Sequence, residues 1–151
     1  MTESSIVFLD ASVLIAGAAS LTGGSAAAIA VLAGPDPYRA AVSREVLREA
    51  LLNVRLKFDR PVLIRLYSVL GDLQPQLADP SDLTAADIPS EVATKDHHVL
   101  LASLAVAASV CLTLDRRHLL GDPVRRWAID RGLRLLTPGE FLEWHRAIEQ
   151  A

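Results

Sequence analysis

Cysteine is nearly absent. Cys111 is the only one, so no internal disulfide can staple the chain. It lies in the apolar run Val110-Cys111-Leu112, where a thiol acts as a small buried hydrophobe rather than a nucleophile. Aromatic residues make up only 5% of a chain that is 51% hydrophobic. The core must therefore be built from aliphatic side chains and alanine, and a chain this apolar is not a disordered one. Positive charge is also scarce. The formal net charge of −3 excludes a protein that binds nucleic acid through its overall charge, while leaving room for a local basic patch. Of the 15 basic residues only Lys57 and Lys95 are lysines. An arginine excess suits phosphate contact, although genomic base composition produces the same bias.

No long hydrophobic segment stands out either. Met1 to Ser5 is polar and lacks the cationic start of a signal peptide. The longest apolar stretch, Val99 to Leu114, is interrupted by Ser103, Ser109 and Thr113. It reads as a helix followed by a strand rather than a bilayer span of about 20 residues. The expectation is a cytoplasmic protein with no membrane partner, folded as one domain over residues 1–151.

What is present alternates between strand and helix. Ile6 to Leu9 is a short buried strand ending at Asp10, and Ser12 to Ala18 begins a helix. Ser25, after Gly23-Gly24, is expected to cap an alanine-rich helix that Gly34-Pro35 stops. Ala40 to Val42 is a second strand, and Ser43 caps a helix to about Phe58. That helix has apolar residues on two sides, with Leu47, Ala50, Leu51 and Val54 on one and Leu52 and Leu56 on another, so burial on both is expected. Pro61 starts a helix to about Leu70. Residues 71–92 are irregular, with a short strand near Leu73 to Leu77 and then a loop with a helical turn. Thr94 is expected to cap a helix to about Ala107, followed by a strand from Ser109 to Leu114 that ends at Asp115. Asp122-Pro123 opens a helix closed by Gly132, Leu133 to Leu136 is the last strand, and Thr137-Pro138-Gly139-Glu140 is a capping box for a final helix. This order implies an α/β fold, a mainly parallel sheet of four or five strands covered by helices on both faces. The strands at residues 6–9 and 110–114 are expected to be adjacent and central.

In open parallel sheets, functional groups gather beyond the carboxyl ends of the strands. Asp10 and Asp115 each end a strand, Asp96 lies in the first turn of a helix leading into the second of those strands, and Glu49 lies two turns into the helix after Ala40 to Val42. Converging carboxylates repel one another, and a divalent cation relieves the repulsion. All-oxygen ligands suit Mg²⁺ or Mn²⁺, and such a site activates water against a phosphodiester. Each acid also has a plain structural role available. Asp10 and Asp115 can cap turns, Asp96 can favour a helix dipole, and Glu49 can be a solvated helix residue. The same holds for the basic residues beside the acids, Arg44, Arg48, Lys95, Arg116 and Arg117, which either track a phosphate backbone or form a solvated surface. His97 and His98 read as an exposed pair at a helix start rather than as general bases.

Several segments resemble the motifs of PIN domains. Val7-Phe8-Leu9-Asp10-Ala11-Ser12 is similar to their opening strand, Asp and hydroxyl residue. Ser43-Arg44-Glu45-Val46-Leu47-Arg48-Glu49 resembles the second motif. Lys95-Asp96-His97-His98-Val99 resembles the third, Leu112-Thr113-Leu114-Asp115-Arg116-Arg117-His118 the fourth, and Leu135-Leu136-Thr137-Pro138-Gly139-Glu140-Phe141 the closing strand and helix. The resemblance covers nearly the whole chain in order. It implies a three-layer α/β/α PIN-like nuclease domain, a metal-dependent ribonuclease similar to the VapC-type toxins of bacterial toxin–antitoxin pairs. It also implies roles for individual residues: Asp10, Glu49 and Asp96 as core acids, Asp115 as the fourth, and Ser12 as an accessory hydroxyl. Many members carry an acid three positions after the fourth; here His118 stands there. Glu45, one turn from Glu49, competes for its place. An RNA substrate, a small antitoxin and a homodimer are the implied partners. A haloacid-dehalogenase-type phosphatase is disfavoured because Ser12 occupies the place of its second Asp, and no glycine-rich fingerprint supports a dinucleotide site. The remaining rival is a PIN-like protein that binds RNA or a partner with little or no cleavage.

Overall fold

The structure is a computed structural model that describes residues 5–35, 37–78 and 87–151. Five strands form one sheet: β1 (Ser5–Leu9), β2 (Tyr38–Ser43), β3 (Gln76–Ala78), β4 (Val110–Leu112) and β5 (Arg134–Leu136). Every pairing is parallel, and the order is β3-β2-β1-β4-β5. β1 and β4 are adjacent, as expected, with Phe8 opposite Cys111 and Leu9 opposite Leu112. Both read as continuous apolar runs because helices cover the sheet on both faces. The helices are α1 (Ala11–Ala19), α2 (Gly24–Ala33), α3 (Arg44–Lys57), α4 (Arg60–Leu73), α5 (His97–Ala105), α6 (Asp122–Ile129) and α7 (Pro138–Glu149). None is long and apolar enough to cross a bilayer.

The connections from β1 to β2 and from β2 to β3 step one way across the sheet; those from β3 to β4 and from β4 to β5 step the other way. Right-handed crossovers therefore place α1–α4 on one face and α5 and α6 on the opposite one. Mutual contacts among α1, α2, α3 and α4 agree, and α7 joins that layer by packing on α2. The crossover direction reverses between β1 and β4. In such sheets the crevice at that reversal, beyond the carboxyl ends, is where ligands bind. The core on either side is aliphatic, as the composition requires. Phe8 and Phe141 are its only fully buried aromatics, among Leu9, Leu14, Leu66, Leu100, Leu112 and Leu133. α1 and α2 approach so closely that a Cβ on Gly17 would overlap the Ile29 side chain.

Several boundaries differ from expectation for local reasons. Ser25 does not cap α2; the helix starts at Gly24 with Gly23 as its cap, and the Ser25 side chain is buried. α4 runs to Leu73, because Gln74 takes the left-handed conformation ahead of Pro75 and closes the helix with its N–H on Leu70 O. β3 is thereby delayed to Gln76. The loop expected after it lies largely in residues 79–86, outside the described residues. Thr94 caps nothing by its side chain; it opens a 3₁₀ turn, Thr94–Asp96, that leads into α5. Helix α3 is buried on one face only, through Val46, Ala50 and Val54. Leu52 and Leu56, expected in a second buried face, are 56% and 73% exposed. The capping box at Thr137 and Glu140 is formed as read.

Candidate active site

The strand β4 stops at Leu112 rather than Leu114 because its next amides find side-chain partners. Thr113 N–H still bonds Leu136 O. The Leu114 N–H then donates to Ser12 Oγ at 3.1 Å, and the Asp115 N–H donates to Thr113 Oγ1 at 3.0 Å. The chain thus leaves the sheet beside Asp10, which follows β1. Asp10 caps α1 through its Oδ1, which accepts from Ala11 N–H at 2.8 Å. That capping role coexists with a second one. Oδ2 accepts from Thr113 Oγ1 at 2.7 Å and from Ser12 Oγ at 3.2 Å.

Asp10, Ser12, Ile15, Glu49, Asn53, Lys95, Asp96, Leu114 and Asp115 line one cleft of about 270 Å³. All four acids expected to meet therefore do meet, at the carboxyl edge of the sheet where the crossover direction reverses. Asp10 is only 8% exposed. Burial pushes its carboxyl above the ordinary 3.8, the charge of Asp96 adds to the push, and the bonds from Thr113, Ala11 and Ser12 oppose it. Glu49 stands at the cleft mouth. Its carboxyl is likewise raised, by partial burial first and then by Asp10, with Asp96 adding and His98 and Lys95 opposing. Of the two candidates on α3, Glu49 lines the cleft, whereas Glu45 turns to His98 Nδ1, 3.3 Å away.

Asp96 and Asp115 come together around His118. The His118 Nδ1 lies 3.5 Å from Asp96 Oδ2 and 3.4 Å from Asp115 Oδ2, and Asp115 Oδ1 accepts the His118 N–H at 3.0 Å. One ligand atom from each of the three residues falls within 4.8 Å of the others. Asp96 Oδ2 is buried and makes no hydrogen bond among the described residues. Asp96 makes no capping bond to its helix either, so a helix-capping role does not account for it. An acceptor left in that state costs stability unless something with positive charge or a proton occupies the site. A set of carboxylate oxygens so placed fits a hard divalent cation, with His118 as an unusual nitrogen beside it.

Of the basic residues singled out, only Lys95 lines the cleft. Arg44, Arg116 and Arg117 are exposed nearby in sequence. Arg48 instead lines a separate groove on α3, with Leu51, Leu52, Arg55 and Leu56, of about 580 Å³. His97 and His98 are half-buried rather than exposed; His97 Nε2 lies 3.2 Å from Val92 O. Thr113 is the residue the motif reading passed over. Its signal was a hydroxyl in an apolar strand, two residues before a candidate acid.

No protein-family model and no curated protein matches the chain. Among solved structures, the chain is similar to the crystal structure of VapBC2 from Rickettsia felis bound to a DNA fragment from their promoter. The TM-score is 0.62 at 15% identity, over 87% of this chain and 98% of that one. At that identity the likeness is one of fold, and the chain has the PIN-like α/β architecture.

Proposed function

We propose that this chain is a divalent-metal-dependent endoribonuclease and the toxin of a toxin–antitoxin pair, working in the cytoplasm on RNA. The observation that carries the reading is the convergence of Asp10, Glu49, Asp96 and Asp115 on one cleft at the topological switch point. Asp10, Asp96 and Asp115, with Glu49 at the mouth, are the residues that would hold Mg²⁺ or Mn²⁺. When bound, such an ion supplies an activated water and offsets charge on a phosphodiester. The raised carboxyls of Asp10 and Glu49 and the Asp96 oxygen without a hydrogen bond among the described residues are what an acidic site built for a cation presents without one.

The remaining residues have roles that follow from placement. Ser12 holds Asp10. Lys95 meets a phosphate at the cleft, and Arg116 and Arg117 extend that contact outward from Asp115. Arg44 is exposed at the start of α3, and Arg48 lines the groove with Leu51, Leu52, Arg55 and Leu56. That groove, basic and apolar together, suits an acidic amphipathic segment of an antitoxin-like partner or a second copy of the chain. A second reading, a PIN-like binding protein with little cleavage, is favoured by one observation. His118 stands between Asp96 and Asp115, where a protonated imidazole would take the place of a cation.

The deciding experiment incubates the purified protein with structured RNAs and Mg²⁺ or Mn²⁺ and maps the cut sites. Cleavage that stops with EDTA and returns with Mn²⁺ is expected. RNA binding with no metal-dependent cut would favour the second reading.

A further inference from the structure

Two hydroxyls, Ser12 in the cleft and Thr113 buried behind it, perform the same pair of tasks. Ser12 Oγ donates to Asp10 Oδ2 and accepts the Leu114 N–H. Thr113 Oγ1 donates to the same Oδ2 and accepts the Asp115 N–H. A carboxylate oxygen has two lone pairs, so Oδ2 is fully occupied. Oδ1, with the Ala11 N–H on it, is the oxygen with a lone pair to spare. The Thr113 bond, at 2.7 Å, is shorter than the Ser12 bond at 3.2 Å. Thr113 is also fully buried, directly after β4, the strand paired to β1. Its hydroxyl therefore links a carboxylate at the end of one strand to the backbone of the acid at the end of the next.

We infer that Thr113 is a positioning residue for the acidic cleft: its hydroxyl fixes the Asp10 carboxylate and the span from Asp10 to Asp115. The inference rests on the metal-site reading for its functional consequence, and on geometry alone for the positioning itself. Ser12 lies in the first turn of α1 and is partly exposed, so it cannot impose the same order from the β4 side. Thr113 Oγ1 has one proton to donate, and Asp10 is where it goes. Removal of the hydroxyl releases Oδ2 from its shortest bond and leaves the Asp115 N–H without its acceptor.

The test compares the full-length wild type with Thr113→Val and Thr113→Ser. Mn²⁺ binding is measured by titration calorimetry at one pH, and metal-free crystal structures are determined for all three. Partners that orient metal ligands typically account for about 10- to 100-fold in affinity, so Thr113→Val should weaken Mn²⁺ binding by at least about 10-fold and Thr113→Ser by no more than about 3-fold. In the metal-free crystals, Asp10 should leave its rotamer in Thr113→Val and keep it in Thr113→Ser. Equal Mn²⁺ affinity in wild type and Thr113→Val, with only the melting temperature lowered, overturns the inference. If the wild type takes up no Mn²⁺, the metal-site reading fails, and the crystal structures still decide the positioning. An unmoved Asp10 in Thr113→Val overturns it there too. Should Thr113→Val fail to fold, a displaced Asp10 or a large affinity loss in Thr113→Ser, which keeps the hydroxyl, counts against it.

Discussion

Replacing Asp10 with Asn keeps the shape of the side chain and removes its charge, and it should make the melting behaviour of the two proteins cross. Without a divalent cation, the ionised Asp10 is penalised by its burial and, to a lesser degree, by Asp96. Because its folded-state pKa lies above 3.8, the folded protein binds this proton more tightly than the unfolded chain does. Stability is therefore lost as pH rises through the folded pKa, which is the penalty of ionising this buried carboxyl. Asn does not incur it. Against that gain, the carboxylate accepts three hydrogen bonds, from Ala11, Ser12 and Thr113. Exchanging one accepting oxygen for an amide NH₂ forces a hydroxyl to turn and weakens the others, a cost of about 1 kcal/mol.

The two effects oppose each other. In EDTA the Asn variant should thus melt close to the wild type, within the roughly 2–4 °C that about 1 kcal/mol is worth in a chain of this length. Saturating Mn²⁺ changes the order. At about 100 times its dissociation constant, a ligand that binds only the folded state adds about 2.7 kcal/mol, which is about 5–10 °C here. The wild type should gain this, and Asp10→Asn should gain little of it. Scanning calorimetry at neutral pH with EDTA and with Mn²⁺ reads all four values. Equal Mn²⁺ stabilisation of both proteins would refute the reasoning, because it would mean that Asp10 is no ligand. A variant much less stable in EDTA would show that Asp10 is chiefly a helix cap.

The other expectations are shorter. Glu49→Gln should cut RNA cleavage by about 10-fold or more, as loss of a metal-site partner does, whereas Glu45→Gln should leave it unchanged; single-turnover assays of both decide which acid on α3 serves the cleft. Acidification of the metal-free wild type from neutral pH toward the folded pKa values of Asp10 and Glu49 should raise its stability, since both are shifted upward. Urea unfolding across that range should show the rise in wild type and a smaller one in Asp10→Asn. The paired hydrogen bonds from Arg125 hold the Glu140 carboxyl down at about 2. Glu140→Gln should cost about 1 kcal/mol at neutral pH, a figure kept low because the pair is partly exposed. That contribution is present above the ordinary value of 4.5 and is lost as pH falls through about 2, so the gap between wild type and variant should close in that window. Leu52→Glu, on the α3 groove, should weaken binding of an antitoxin-like partner or of a second copy without reducing cleavage; pull-down by the neighbouring gene product and light scattering test the two occupants.

Most of the sheet could be read from the chain because its strands are short apolar runs closed by distinctive residues. Asp10, Ser43 and Thr137 each end a strand and begin a helix, and all three serve as caps through their side chains. Parallel pairing follows from the intervening helices, and the place where Asp10 and Asp115 meet follows from the pairing. The exposed side of α3 was not legible in the same way. Leu52 and Leu56 have the composition of a buried face, and only the position of the neighbouring helices shows that nothing within the described residues covers them. Composition records what a surface would bury, not whether this chain supplies the cover.

The site divides along the same line. Which acids converge could be inferred from strand ends and helix starts, since backbone topology delivers them. What each acid touches depends on rotamers and on amides that leave the ladder, and neither has a period. Thr113 shows the difference. Its neighbours Leu112 and Leu114 suggest one continuing strand, in which Thr113 would be one more alternating position. In the structure Leu114 is 41% exposed, because the strand has already ended. It ends there because hydroxyls from Ser12 and Thr113 take the amides of Leu114 and Asp115. The early stop frees Asp115 and His118 to turn toward Asp96. The acidic cleft therefore depends on where β4 stops, and that stop is made by two hydroxyls whose protons both go to Asp10.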